Sequence, residues 1–189
     1  RSLLAAAGSA LALRADAPPS GRIDCQSHLF VPDILDWMEK RKTSPYVFRQ
    51  GKDRFVVVND WKRRILPKHT DVQAKVADMD SAGIALTALS INDPGPELFG
   101  KEGPALARTA HDFLGTVAAE HPGRFFGLMT LPLHDMDASL RELDRCVSRW
   151  KMKGILLYSN LDGHFADEPQ YAPLFDEAER RGLPVLLHP

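Results

Sequence analysis

The sequence predicts an α/β fold of the (β/α)8 TIM-barrel type, of which it carries about the first five βα units. Three observations lead there. Short, almost continuously apolar segments alternate with amphipathic ones along 189 residues. That is the pattern of parallel strands covered on both faces by helices. Two of these segments deliver a histidine to their C-terminal ends, Ile23-Asp24-Cys25-Gln26-Ser27-His28 and Val185-Leu186-Leu187-His188. A doubly wound open sheet is the alternative, but no Gly-x-Gly-x-x-Gly follows the first segment, which removes its main support. A full barrel needs roughly 250 residues, so five units are a little over half of one.

Each element has its own reason. Residues 22–30 read as the first strand, with Gly21 as punctuation before it. Residues 31–42 read as a helix, because Ile34, Leu35, Trp37 and Met38 fall on one face at helical spacing. Residues 43–67 read as an inserted excursion with the turn Gln50-Gly51-Lys52-Asp53 and the β run Phe55-Val56-Val57-Val58. Asp71 is placed to start a helix over 72–81 that Gly83 stops. Strand two is 85–90, followed by a Pro/Gly loop over 92–100 and a long helix over 102–121. Strand three is 125–131, and a helix over 137–151 turns Leu140, Leu143 and Val147 inward. Strand four is 154–158, the next helix runs 173–181 until Gly182, and strand five is 185–187.

Composition narrows the partners. An apolar content of 44% allows a large core, and 24 basic against 25 acidic residues leave a net charge of -1. Neither nucleic acid nor an anionic membrane is expected as a partner. The cluster Lys62-Arg63-Arg64 reads as a solvated face. Cys25 and Cys146 form no CxxC pair, so no disulfide framework is expected. A homodimer is the assembly to consider, since a second copy would cover the open edges of a five-stranded sheet.

Alternate strand residues share a face, so Asp24, Gln26 and His28 are expected to point the same way. In a barrel that direction is the C-terminal mouth, where active sites lie. Strands one and five stand on opposite walls of the lumen, so His28 and His188 are expected to converge and hold one metal ion. Imidazole suits zinc. One strand-end histidine alone is more often a hydrogen-bonded structural group. The serial positions of the two together favour the metal.

The ordered set of motifs carries a resemblance. It comprises Asp24-Cys25-Gln26-Ser27-His28-Leu29-Phe30, Met79-Asp80-Ser81-Ala82-Gly83-Ile84, His121-Pro122-Gly123-Arg124-Phe125-Phe126-Gly127, Thr130-Leu131-Pro132, Leu143-Asp144-Arg145-Cys146-Val147, Lys153-Gly154-Ile155 and Pro184-Val185-Leu186-Leu187-His188-Pro189. From about Arg22 onward the chain resembles the amidohydrolase-2 branch of the amidohydrolase superfamily, in its aminocarboxymuconate-semialdehyde decarboxylase-like form. The resemblance implies one divalent metal, zinc, and a small-molecule substrate. The implied activity is hydrolysis or non-oxidative decarboxylation of a small carboxylated or cyclic organic compound. His28 matches the second histidine of the family's first-strand pair, and His188 matches the fifth-strand ligand. Gln26 stands where the family has its first histidine, offering a weaker carbonyl-oxygen ligand. The family's acid–base residues lie on later strands, so the 189-residue chain alone is expected to be inactive.

Within the excursion, a basic residue of the semialdehyde decarboxylases is replaced by Val56. Arg49 and Arg54 are the candidates to compensate by binding a substrate carboxylate, and Trp61 is the candidate to line the pocket. Two other readings stand beside this one: a metal-independent, lactonase-like hydrolase of the same fold, kept open by Gln26, and a catalytically inactive fragment.

The first twenty residues read differently from the rest. Arg1-Ser2 precedes a short apolar run from Leu3 to Leu13, then Arg14 and Pro18-Pro19. The run is too short to span a bilayer, which takes ~20 residues. It is similar to the second half of a twin-arginine export signal, and export to the periplasm is expected over a cytoplasmic location. A loosely packed N-terminal helix is the alternative.

Overall fold

The computed structural model describes residues 21–161 and 163–188, so the export-signal expectation for residues 1–20 lies outside the described residues. The elements in chain order are β1 (Arg22–Leu29), α1 (Pro32–Met38), β2 (Tyr46–Gln50), β3 (Asp53–Val58), β4 (Trp61–Ile65), α2 (Val72–Ala82), β5 (Ile84–Ile91) and α3 (Gly103–Glu120). They continue with β6 (Phe125–Met129), α4 (Met136–Arg145), β7 (Gly154–Tyr158), β8 (Asn160–Leu161), β9 (His164–Phe165), α5 (Ala172–Arg181) and β10 (Val185–His188). No helix among the described residues is long and apolar enough to cross a membrane.

Five strands pair in parallel in the order β1-β5-β6-β7-β10. At ~4.8 Å per strand, a flat sheet would hold β1 and β10 roughly 19 Å apart. The side chains of His28 on β1 and His188 on β10 nevertheless approach to 3.3 Å. The sheet is therefore curled, its two edges facing across a half-barrel lumen. The helices cover its outer face. There Leu89, Leu114, Met129, Leu143, Ile155 and Leu174 are almost fully buried in the main core.

Local chemistry sets the helix ends. The Asp71 carboxylate accepts the backbone N–H of Gln73 and Ala74 at 2.9 and 3.1 Å, satisfying two orphan donors at the start of α2. Gly83 and Gly182 close α2 and α5 with φ of 64° and 63°, a left-handed conformation costly for other residues.

Four segments differ from expectation. Helix α1 ends at Met38, because the N–H groups of Lys40 and Arg41 bond only three residues back, to Trp37 and Met38. Arg41 then turns its guanidinium over the Trp37 ring at 5.0 Å and donates to the Pro45 carbonyl. The single helix expected over 137–151 is α-helical only to Arg145 and widens into a π turn over Cys146–Trp150. The widening seats the Trp150 indole, whose N–H donates to Asp112 at 2.7 Å. Its ring lies so close to Gly115 that a Cβ there would stand 2.1 Å from Trp150 Cδ2.

The excursion is richer than its one legible β run. It is a three-stranded antiparallel sheet, β2-β3-β4. One face buries Val47, Val56, Val58 and Ile65 against Leu35 and Met38 of α1 and against Phe99, forming a second core. A short β8–β9 hairpin after β7 was also not legible.

Candidate functional site

His28 leaves the last turn of β1 half-buried at the mouth of the lumen. Its Nδ1 lies 2.7 Å from Ser90 Oγ on β5, and its Nε2 lies 3.3 Å from Nε2 of His188. The two rings are 5.1 Å apart between centroids and tilted by 60°. Tyr158, from the end of β7, presents its ring edge-on to His188 at 5.6 Å. The structure thus brings the two predicted histidines together.

A β-bulge changes what stands beside them. Asp24 pairs with Thr87 and Ser27 with Leu89, so β1 carries one extra residue at Cys25-Gln26. Asp24 is therefore in register with Thr87 and His28 with Ser90. Thr87 and Ser90 are three apart on β5 and face opposite ways. The expected common face of Asp24, Gln26 and His28 is interrupted there: Asp24 and His28 no longer stand in strict alternation. Gln26 lies exposed in the bulge, its backbone N–H held by Asp24 Oδ1 at 3.1 Å.

The two candidate arginines have carboxylate partners of their own. Arg49 pairs with Glu39 at 3.0 Å, and Arg54 pairs with Asp36 at 2.9 Å and Glu39 at 2.7 Å. Both are committed to α1 and its C-cap rather than to the histidine pair. The guanidinium at the mouth belongs instead to Arg63, cross-strand partner of the buried Val56. It donates to Asn92 Oδ1 at 3.0 Å and lies 5.6 Å from the Trp61 ring centroid. The sequence hid this because Arg63 sits in a run of three basic residues, and only strand pairing says which one reaches the mouth.

Trp61 borders a cavity that Tyr158 also lines. This cavity of about 150 Å³ is bounded by Val58, Trp61, Asp93, Glu97, Leu98 and Tyr158, among others. Burial, and then the negative charges of Asp93 and Glu97, push the Tyr158 phenol well above its ordinary value. The hydroxyl therefore stays protonated beside the Asp93 carboxylate. None of Ser90, Asp93, Glu97 or Tyr158 was legible as a site residue. Ser90 and Tyr158 lie in apolar strands, Asp93 and Glu97 in the loop and 3-10 turn after β5, and no motif marks any of them.

The pair fits a divalent ion. Two zinc–nitrogen bonds of ~2.0–2.1 Å at a tetrahedral angle span ~3.3 Å, the Nε2–Nε2 separation found here. Burial, followed by the neighbouring His188, holds the His28 imidazole below its ordinary 6.5, favouring the neutral form that binds metal.

A second constellation, His111, Glu142 and Cys146, gathers its ligand atoms within 4.8 Å in the core. Its atoms are already engaged. His111 Nε2 accepts from the Thr130 N–H at 3.2 Å, and Nδ1 donates to Glu142 at 2.7 Å. Arg145 donates to both oxygens of the same carboxylate, at 2.8 and 2.7 Å. Burial alone would raise the Glu142 carboxyl, but the hydrogen bonds from Arg145 and His111 outweigh it and hold it at about 2. Burial, and then the charge of Glu142, push the Cys146 thiol up, away from the thiolate a metal needs. This cluster is a clasp between α3 and α4.

Comparison with known proteins follows the same lines. The Amidohydrolase family model (Amidohydro_2) matches residues 23–189. The chain is 31% identical over 178 residues to gamma-resorcylate decarboxylase of Rhizobium radiobacter, covering 89% of this chain and 50% of that protein. It is 29% identical over 177 residues to 2-amino-3-carboxymuconate-6-semialdehyde decarboxylase of Dictyostelium discoideum, covering 89% and 48%. Among solved structures, a dihydroxybenzoic acid decarboxylase from Polaromonas sp. JS666, with bound manganese and the inhibitor 2-nitroresorcinol, superimposes with a TM-score of 0.65 at 28% identity, covering 89% of this chain and 49% of that one. The chain spans about half the length of the curated relatives it matches. With its curled parallel sheet, its paired strand-end histidines and a family match over nearly its whole described length, the chain belongs to the amidohydrolase-2 family.

Proposed function

We propose that the full-length protein is a divalent-metal-dependent, non-oxidative decarboxylase of small carboxylated aromatic compounds. One observation carries the reading: Nε2 of His28 and Nε2 of His188 meet at 3.3 Å from opposite edges of a curled sheet. These two residues hold the ion. A bound ion of this kind supplies Lewis-acid polarisation of a substrate oxygen. Manganese in the Polaromonas relative supports a divalent metal without selecting zinc.

The chain's own residues then sort the substrate. Trp61 offers a flat apolar face to a ring in the adjoining cavity. The Tyr158–Asp93 pair and Glu97 meet polar ring substituents from the other side. Arg63, oriented by Asn92, supplies the positive charge near the entrance that a carboxylate requires.

The test uses the full-length protein, stripped with chelator and reloaded with zinc or manganese. With 2,6-dihydroxybenzoate, carbon dioxide release is expected with metal, and it is lost on stripping and in His188→Ala. Turnover of a lactone that survives both chelator and His188→Ala would replace this reading with the metal-independent hydrolase.

A further inference from the structure

We infer that Ser90 is a positioning residue that fixes the tautomer of His28, so that His28 Nε2 presents its lone pair to the metal. The inference rests on the metal reading of the His28–His188 pair and goes beyond it. Ser90 is fully buried, 0% exposed, and faces His28 across the β1–β5 ladder. Among the described residues its Oγ has two hydrogen-bond partners: His28 Nδ1 at 2.7 Å and the Ser27 backbone carbonyl at 3.4 Å.

A serine hydroxyl has one proton to give and lone pairs to receive. The Ser27 carbonyl can only accept, so the hydroxyl proton goes there. The lone pairs of Ser90 Oγ are then left for a proton on His28 Nδ1. A neutral imidazole protonated at Nδ1 has its lone pair at Nε2, the atom that meets His188 Nε2 at 3.3 Å. The opposite tautomer would place an N–H in that gap and bar a cation.

The surroundings keep this arrangement single-valued. Lys75 Nζ donates to Ser27 Oγ at 2.6 Å, so the Ser27 side chain is occupied and its backbone carbonyl is left to Ser90. Thr87, the other polar residue of β5, is equally buried, and its Oγ1 has no hydrogen-bond partner among the described residues. Polarity in this strand is therefore not tied to partners by default, and Ser90 is the one polar residue of β5 engaged with a histidine.

The test compares full-length wild type, Ser90→Ala, Ser90→Thr and His28→Ala. Zinc and manganese affinities come from competition with a chelator. The metal-free His28 tautomer comes from nitrogen-15 NMR of histidine-labelled protein at pH 8. The expected results are Nδ1–H in wild type, roughly 10–100-fold weaker metal binding in Ser90→Ala, the usual cost of removing a partner of a ligating histidine, and recovery in Ser90→Thr. A wild-type His28 protonated at Nε2 overturns the inference, and so does wild-type affinity in Ser90→Ala when His28→Ala has lost binding. Metal binding unchanged in His28→Ala overturns the metal reading itself and the inference with it.

Discussion

Replacing Glu142 by glutamine removes the charge at the centre of the α3–α4 clasp and keeps its shape. The carboxylate accepts two bonds from Arg145 and one from His111, and is 8% exposed. Its hold at about 2, against an ordinary 4.5, is worth about 3 kcal/mol at 1.36 kcal/mol per pH unit. Arg145 keeps Asp112 as a partner after the substitution. The cost should therefore fall near the lower end of the ~3–5 kcal/mol seen when a buried pair loses one member. Linkage adds a sign. A carboxylate depressed in the folded state contributes fully above its unfolded pKa, and the contribution is lost as pH falls toward the folded one. At pH 4.0 the unfolded carboxyl is already partly protonated, which narrows the gap between wild type and Glu142→Gln by about 0.8 kcal/mol relative to pH 7. Equilibrium urea unfolding of the full-length protein at the two pH values measures both quantities. A gap under ~1 kcal/mol at pH 7, or one that widens at pH 4.0, would refute the idea that this charge is stabilised by its partners.

Three further outcomes are expected. Gly115→Ala should destabilise by ~1–3 kcal/mol in the same urea assay, because its Cβ would meet the Trp150 ring at 2.1 Å and the ring is held by Asp112; a neutral effect would mean that the π turn yields freely. Asp71→Ala should cost ~1 kcal/mol through loss of the two N-cap bonds of α2, with Asp71→Asn recovering most of it, measured by denaturant midpoint. Gln26→His in the full-length protein should tighten zinc binding in a chelator competition; unchanged affinity would show that the bulge carries position 26 away from the ion.

Much of the fold was legible because its determinants are local. Apolar runs of four to eight residues, Asp71 as a cap and Gly83 and Gly182 as left-handed stops act through the backbone next to them. The strand-end positions of His28 and His188 were legible for the same reason, and serial order along the chain placed them on strands one and five. The excursion was read only in part. The Phe55–Val58 run is apolar, but Trp61-Lys62-Arg63-Arg64-Ile65 shows no apolar alternation and becomes a strand only by pairing with β3.

What the tertiary structure alone decided lies between segments distant in sequence. The bulge in β1 exists only in register with β5, and it separates Asp24 from His28, which strict alternation would have joined. Glu39 and Asp36, on and beside α1, pair with Arg49 and Arg54, while Asn92 holds Arg63. The expected helix widens into a π turn at the end of which Trp150 reaches Asp112, 38 residues away. Ser90 acquires a role only because β5 lies against β1, 62 residues away. Sequence pattern reports what a residue does to its own backbone and face. Hydrogen bonds and ion pairs are decided by which groups the curled sheet brings within bonding distance, and that is a property of the whole curl rather than of any segment in it.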